Sequence, residues 1–179
     1  MRILVTYGTT DGHTARIGQH VSERFLDQGH SVALIGLGDA AGMDVTRFDA
    51  VVLAASLHAG HYQGVLSDFV AAKAPVLAQK PTLLLSVSLA AAGHDAEDWR
   101  QLGTILSDFE KATGWRAGRI EHVAGAYRPE RYDLLRRFVM KRIIAQKDPD
   151  ADLNAEIVYT DWAALDAAVD AWLAETGTA

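Results

Sequence analysis

Cysteine is absent from all 179 residues. Disulfides, thiolate metal sites and cysteine nucleophiles are therefore excluded. The absence also fits a reducing cytoplasm. No apolar run approaches the roughly 18 residues that a spanning helix needs. Any membrane contact is expected to be peripheral. The first residues run straight into an apolar strand, Arg2–Tyr7. They lack the long apolar core and small-residue cleavage site of a signal peptide. What remains is ordinary: 49% of residues are apolar and 22% charged, as in soluble globular chains. The length suits one domain, 1–179, with a sizeable core.

The net charge of −6 is unevenly spread. Between Arg128 and Lys147 seven basic residues face two acids, Glu130 and Asp133. That segment carries +5 and the rest of the chain −11. The asymmetry points to a local anionic partner rather than to general nucleic-acid binding.

Apolar strands alternate with amphipathic helices. Strands are expected at Arg2–Thr6, Ser31–Leu37, Asp49–Leu57, Pro81–Leu89 and Arg119–Ala126. Helices are expected at His13–Gln28, Val65–Leu77, Asp98–Thr113 and Asp161–Glu175. Continuously apolar strands imply burial on both faces. Strands separated by helices imply parallel pairing through right-handed crossovers. The expected fold is an α/β doubly wound five-stranded parallel sheet. Ligands bind such sheets at the carboxyl ends of the strands. The segment 127–156 breaks the repeat and reads as an insertion, largely helical, before the last helix.

Thr9-Thr10-Asp11-Gly12-His13-Thr14 joins the first strand to the first helix. Hydroxyls and unpaired backbone N–H groups at a helix N-terminus suit an anion. Gly12 permits a turn that a β-carbon would obstruct. The loop has no lysine, so it is not a nucleotide-triphosphate P-loop. It has no G-x-G-x-x-G, so a dinucleotide site is unsupported. The other reading is an ordinary helix cap by Thr10 or Asp11. With Tyr7 and Gly8 before it, the loop resembles the phosphate loop of flavodoxins. That resemblance implies strand order 2-1-3-4-5 and FMN, its phosphate in this loop. It also implies an isoalloxazine between the loops after the third and fourth strands.

Those two loops supply the remaining cofactor candidates. After the third strand come Ser56, Leu57, His58, Ala59, Gly60, His61 and Tyr62. Gly60 lets backbone approach a planar ligand. His61 and Tyr62 can stack or move protons, or else His61 is solvated and Tyr62 staples the next helix. His58 and His61 lack a carboxylate or thiolate to complete a metal site. After the fourth strand come Ser88, Leu89, Ala90 and Ala91, small enough for close approach to the second flavin face. A plain flexible connection is the alternative there.

The insertion is expected to hold a helix over Tyr132–Gln146. Its apolar residues are interleaved with Arg136, Arg137, Lys141 and Arg142. Such a segment can lie on an anionic membrane, offer cations to carboxylates, or pack on the domain with a solvated basic face. A resemblance bears on that choice. Four features carry it: Gly60-His61-Tyr62, the Gly-Ala-x-Arg-x-x-Arg-Tyr run at Gly125–Tyr132, Arg-Phe-x-x-Lys at Arg137–Lys141, and Val158-Tyr159-Thr160-Asp161-Trp162. Together they resemble the flavodoxin-type, quinone-dependent protoporphyrinogen oxidases, over nearly the whole chain. The resemblance implies oxidation of protoporphyrinogen IX to protoporphyrin IX in heme biosynthesis. It implies a membrane quinone as acceptor and peripheral attachment to the cytoplasmic face of the inner membrane. Arg128 and Arg131 are then the candidates for substrate carboxylates. Arg136, Arg137 and Lys141 are candidates for substrate or membrane, and His61 for catalysis. One region departs: Asp95, Glu97 and Asp98 stand where the resemblance leads one to expect basic residues.

Two other readings remain open at this point. A flavodoxin electron carrier would bind protein partners through its acidic surface. An FMN-dependent quinone reductase would need a nicotinamide donor, and the sequence shows no second nucleotide site.

Overall fold

The computed structural model describes residues 1–177, apart from the side chain of Arg136. Five parallel strands form its sheet: β1 (Arg2–Gly8), β2 (Ser31–Gly36), β3 (Ala50–His58), β5 (Thr82–Ser88) and β6 (Arg119–Ala124). Their order, β2-β1-β3-β5-β6, is the expected 2-1-3-4-5. A sixth strand departs from expectation. β4 (His61–Tyr62) folds back antiparallel on the end of β3, pairing His58 with His61. Ala59 and Gly60 make the turn at φ 49° and 79°. Positive φ at both central residues matches the right-handed twist of a tight hairpin.

Strand alternation explains the two-sided burial. Ile3 and Val5 of β1 and Leu83 and Leu85 of β5 join one core with Ile17, Phe25, Val169 and Trp172. That core seats α1 (His13–Asp27) and α5 (Trp162–Thr176). Leu4, Val51, Leu53 and Leu84 point to the other face and meet Leu66, Phe69, Phe109 and Trp115. That core seats α2 (Gly64–Leu77) and α3 (Ala96–Thr113). Each fully buried Leu, Ile or Phe contributes about 1.5–3 kcal/mol. Observed helices match expectation within one or two residues at each end.

Beyond β6 the chain leaves the sheet. β7 (Ala126–Tyr127) and β8 (Ile157–Val158) pair antiparallel, Tyr127 opposite Ile157. Between them lies a 3-10 turn, Pro129–Arg131, then α4 (Leu134–Lys147). A small third core of Tyr127, Tyr132 and Ile144 holds this segment together, with Leu89, just after β5, packed against it.

Candidate functional site

β1, β3, β5 and β6 all end at one edge of the sheet, and α1 starts there. Gly12 occupies the cap position at φ 93°, and no side chain caps α1 from it. The expected cappers are displaced: Asp11 Oδ1 accepts from the His13 N–H at 3.1 Å. Thr9 Oγ1 accepts from the Gly12 N–H at 2.9 Å, which closes the turn. Thr10 Oγ1 accepts from Gln63 Nε2 at 2.8 Å.

Beside this loop lies a cavity of about 620 Å³. One wall is Asp11, His13 and Thr14 from the first loop. Another is Ser56, Leu57, His58, Ala59 and Gly60 from the β3–β4 hairpin. Val87, Ser88, Leu89 and Ala90 follow β5, and Leu102 and Ile105 come from α3. The last wall is α4, through Leu135, Val139, Met140 and Ile143. The volume and mostly apolar lining suit a planar organic ligand.

Three polar atoms of lining residues are buried and have no hydrogen-bond partner: His13 Nδ1, Thr14 Oγ1 and Ser56 Oγ. Leaving such atoms unpaired costs about 1–3 kcal/mol each. Native structures seldom keep them so unless something binds. Thr14 and His13 sit in the first helical turn, where the helix dipole favours an anion. Ser56 sits at the end of β3. The residues present therefore fit a ligand that carries an anionic group near the α1 N-terminus and further polar atoms near Ser56.

His13 is 2% exposed. Its Nε2 lies 2.7 Å from Thr160 Oγ1, and Thr160 donates to the Ala124 carbonyl at 2.6 Å. Burial pushes the His13 pKa below 6.5.

Not every candidate reaches the cavity. Tyr62 is buried against Phe109, ring centroids 4.8 Å apart, and its hydroxyl donates to Ser86 Oγ at 2.8 Å. Burial raises its pKa. His61 is exposed on the hairpin. Neither lines the cavity, nor do Thr9, Thr10, Gly12 and Ala91. Thr9 and Thr10 shape the loop instead.

The insertion contacts the loop directly. Arg128 Nη1 donates to the Asp11 carbonyl at 2.7 Å. The same guanidinium lies 3.2 Å from Glu156 Oε1. A β-carbon on Gly12 would stand 3.3 Å from Arg128 Nη1, so glycine also leaves room for this cation. Arg131 is exposed and Arg137 half-buried. Lys141 Nζ donates to Asn154 Oδ1 at 2.7 Å, within the insertion. The side chain of Arg136 lies outside the described residues. On α4, Ile144 is buried while Leu134, Leu135 and Phe138 are 89%, 76% and 68% exposed.

The acidic segment after β5 also has structural employment. Asp95 caps α3, accepting from the Glu97 and Asp98 N–H groups at 3.0 Å. Glu97 pairs with Arg100, and Asp98 pairs with Lys147 at the end of α4. The Asp98–Lys147 pair thus joins α3 to α4. Sequence reasoning missed this pair, the Glu156 contact and Thr160 as the partner of His13. All three join residues far apart in the chain, and no local pattern announces them.

Among the described residues no helix is long and apolar enough to cross a membrane. Residues 4–154 match the flavodoxin domain family. The chain is 29% identical over 162 residues to the protoporphyrinogen IX dehydrogenase (quinone) of Escherichia coli strain K12, covering 90% of this chain and 89% of that protein. It is 27% identical over 165 residues to the protein of the same name from Leishmania major, covering 92% and 71%. Oxidised flavodoxin 1 from Bacillus cereus superposes with a TM-score of 0.52 at 14% identity, over 73% of this chain and 89% of that one. An NADH:FMN oxidoreductase superposes with a TM-score of 0.54 at 15% identity, over 96% and 87%. With its strand order, its loop and its sequence in agreement, the chain belongs to the flavodoxin domain family.

Proposed function

We propose that this chain binds FMN and oxidises protoporphyrinogen IX to protoporphyrin IX, passing electrons to a membrane quinone, as a step of heme biosynthesis. The names borne by its 27–29% identical relatives support the reaction. The observation that carries it is the composition of the cavity wall. α4, which a minimal flavodoxin sheet does not need, faces the phosphate loop across the same cavity. A carrier has no use for an apolar wall there; a flat, apolar substrate does.

The residues divide the work. Thr14, His13 and the α1 N-terminus hold the phosphate. Ser56 and the backbone of Leu57–Gly60 hold the polar edge of the ring system. Leu89 and Ala90 pack one face of the ligand. FMN, when bound, supplies two-electron redox chemistry, and three turnovers remove the six electrons. Leu135, Val139, Met140 and Ile143 exclude water and orient the macrocycle. Arg128 is engaged with Asp11 and Glu156, so the exposed Arg131 is the better placed of the two for a substrate carboxylate. His61 stands outside the cavity lining, and a catalytic role for it would need the hairpin to turn. The exposed apolar residues of α4, flanked by Arg131, Arg137 and Arg142, would rest on the anionic cytoplasmic face of the inner membrane.

The test is porphyrin fluorescence. FMN-loaded protein given protoporphyrinogen and a quinone should show a fluorescence gain that depends on both. No gain above the uncatalysed rate sinks the reading. Removing Asp133–Asp150, which spares Arg128 and its contact with Asp11, separates it from an electron carrier. Loss of quinone-linked activity with FMN retained supports the oxidase; unchanged quinone-linked activity supports the carrier.

A further inference from the structure

We propose that His13 is a tautomer-locked proton acceptor in the phosphate loop. Thr160 holds its ring in the Nε2–H form, and a phosphate bound in the loop draws a second proton from solvent onto Nδ1. The proposal rests on the FMN reading for its ligand, but its first half stands on hydrogen-bond direction alone.

A threonine hydroxyl has one proton. Thr160 gives that proton to the Ala124 carbonyl, 2.6 Å away. Its oxygen can then only accept from His13 Nε2, 2.7 Å away. Nε2 therefore carries the ring hydrogen whenever the imidazole is neutral. Nδ1 is left as a bare lone pair, buried and without a partner. His13 lines the cavity and opens α1, at the place where an anion is favoured.

A lone pair facing phosphate oxygens is repulsive. A proton between them turns the contact into a charge-assisted hydrogen bond, roughly twice as strong as a neutral one. The groups around the ring are poised for that change. Asp11 on the loop and Glu156 before β8 favour the charged ring. Arg128 from the insertion and Arg16 on α1 oppose it, and burial opposes it most. Trp162 of α5 covers one edge, ring centroids 6.1 Å apart. Adding two negative charges shifts this balance toward the cation. The ring then serves as a donor only when the anion is present. A lysine there would be charged at all times and would repel Arg128 and Arg16 in the free protein.

Two measurements test this on the full chain. The first is the nitrogen-15 spectrum of the His13 ring in the free protein and with inorganic phosphate added. The free ring should show Nε2 protonated and Nδ1 bare at pH 8, and phosphate should protonate Nδ1. Thr160→Val should mix the tautomers, while Thr160→Ser keeps the lock. A free ring protonated at Nδ1 overturns the proposal. The second is the FMN dissociation constant from pH 5.5 to 8.5, by quenching of flavin fluorescence. Above the free His13 pKa, wild type should bind up to tenfold tighter for each unit of falling pH. His13→Gln should lose that increment and retain only the titration of the phosphate itself. Parallel profiles for the two proteins overturn the proposal. Failure of FMN to bind at any pH would instead overturn the cofactor reading, with the tautomer lock still decided by the spectra.

Discussion

Arg128 and Asp11 lie 117 residues apart, yet the guanidinium donates to the main-chain carbonyl at 2.7 Å. One cation of the insertion thereby braces the loop that opens α1. Glu156, 3.2 Å from the same guanidinium, fixes its orientation from the far end of the insertion. The loop and the insertion are one mechanical unit.

Arg128→Ala should therefore weaken FMN binding. A hydrogen bond from a charged donor contributes about 1.5–3 kcal/mol, which corresponds to roughly ten- to hundredfold in affinity. Arg128→Lys should rescue little, because an ammonium cannot span both partners as a planar fork does. Flavin titration of the three proteins checks this.

Phe138→Glu should leave folding and FMN affinity alone. The side chain is 68% exposed and makes no part of the core. Surface changes of this kind fall within about 0.5 kcal/mol. Binding to vesicles containing anionic lipid should drop several-fold in a sedimentation assay. Undiminished binding would remove α4 as the membrane-facing element.

Lys147→Ala should cost little global stability, since the pair with Asp98 is partly solvated. Its effect should be local. Amide exchange in the last two turns of α4 should accelerate, because that pair ties the helix end to α3. Swapping the charges, Asp98→Lys with Lys147→Asp, should restore protection. Equal exchange in all three proteins would show that the apolar contacts of Ile144 alone hold the helix.

Acid should destabilise the fold from about pH 6.5 downward. Burial lowers the pKa of both His13 and His122. A group with a depressed folded pKa supports the native state above its unfolded pKa and withdraws that support as pH falls through the folded one. His122 lies edge-on to Trp99, centroids 5.5 Å apart, and its Nδ1 is buried without a partner. Denaturation midpoints between pH 7 and pH 5 should fall less steeply in His122→Gln than in wild type. Parallel slopes would rule His122 out as a contributor.

The sheet was legible because its signal is local. β1, β3 and β5 are near-continuous apolar runs, each followed by a helical period, and that pattern implies a parallel, doubly wound sheet, while the strand order followed from the resemblance to flavodoxins. The loop at Thr9–Thr14 was legible for the same reason. What escaped was set by pairing at a distance. β4 is only two residues long, and its turn places the non-glycine Ala59 at φ 49°. No turn propensity marks such a residue. Tyr62 looked like a flavin contact by its position after β3. The hairpin reverses the chain there, and its ring turns inward to Phe109. Asp95, Glu97 and Asp98 looked like an acidic patch, but a helix cap and two ion pairs account for them.

The short β7–β8 ladder has a consequence of its own. Tyr127 and Ile157 are neighbours, so the chain sets out on its excursion and returns at nearly the same point. The excursion is thus a closed circuit hung from the sheet edge, not a link in it. Its helix is nonetheless tied back to the domain, through Lys147 to Asp98 on α3 and through the packing of Leu89, after β5, on the insertion's own core. The cavity wall is therefore coupled to the loops that form the rest of the cavity. A bulky guest that pushes the wall outward would thus load the Arg128–Asp11 contact and be felt in the Thr9–Thr14 loop.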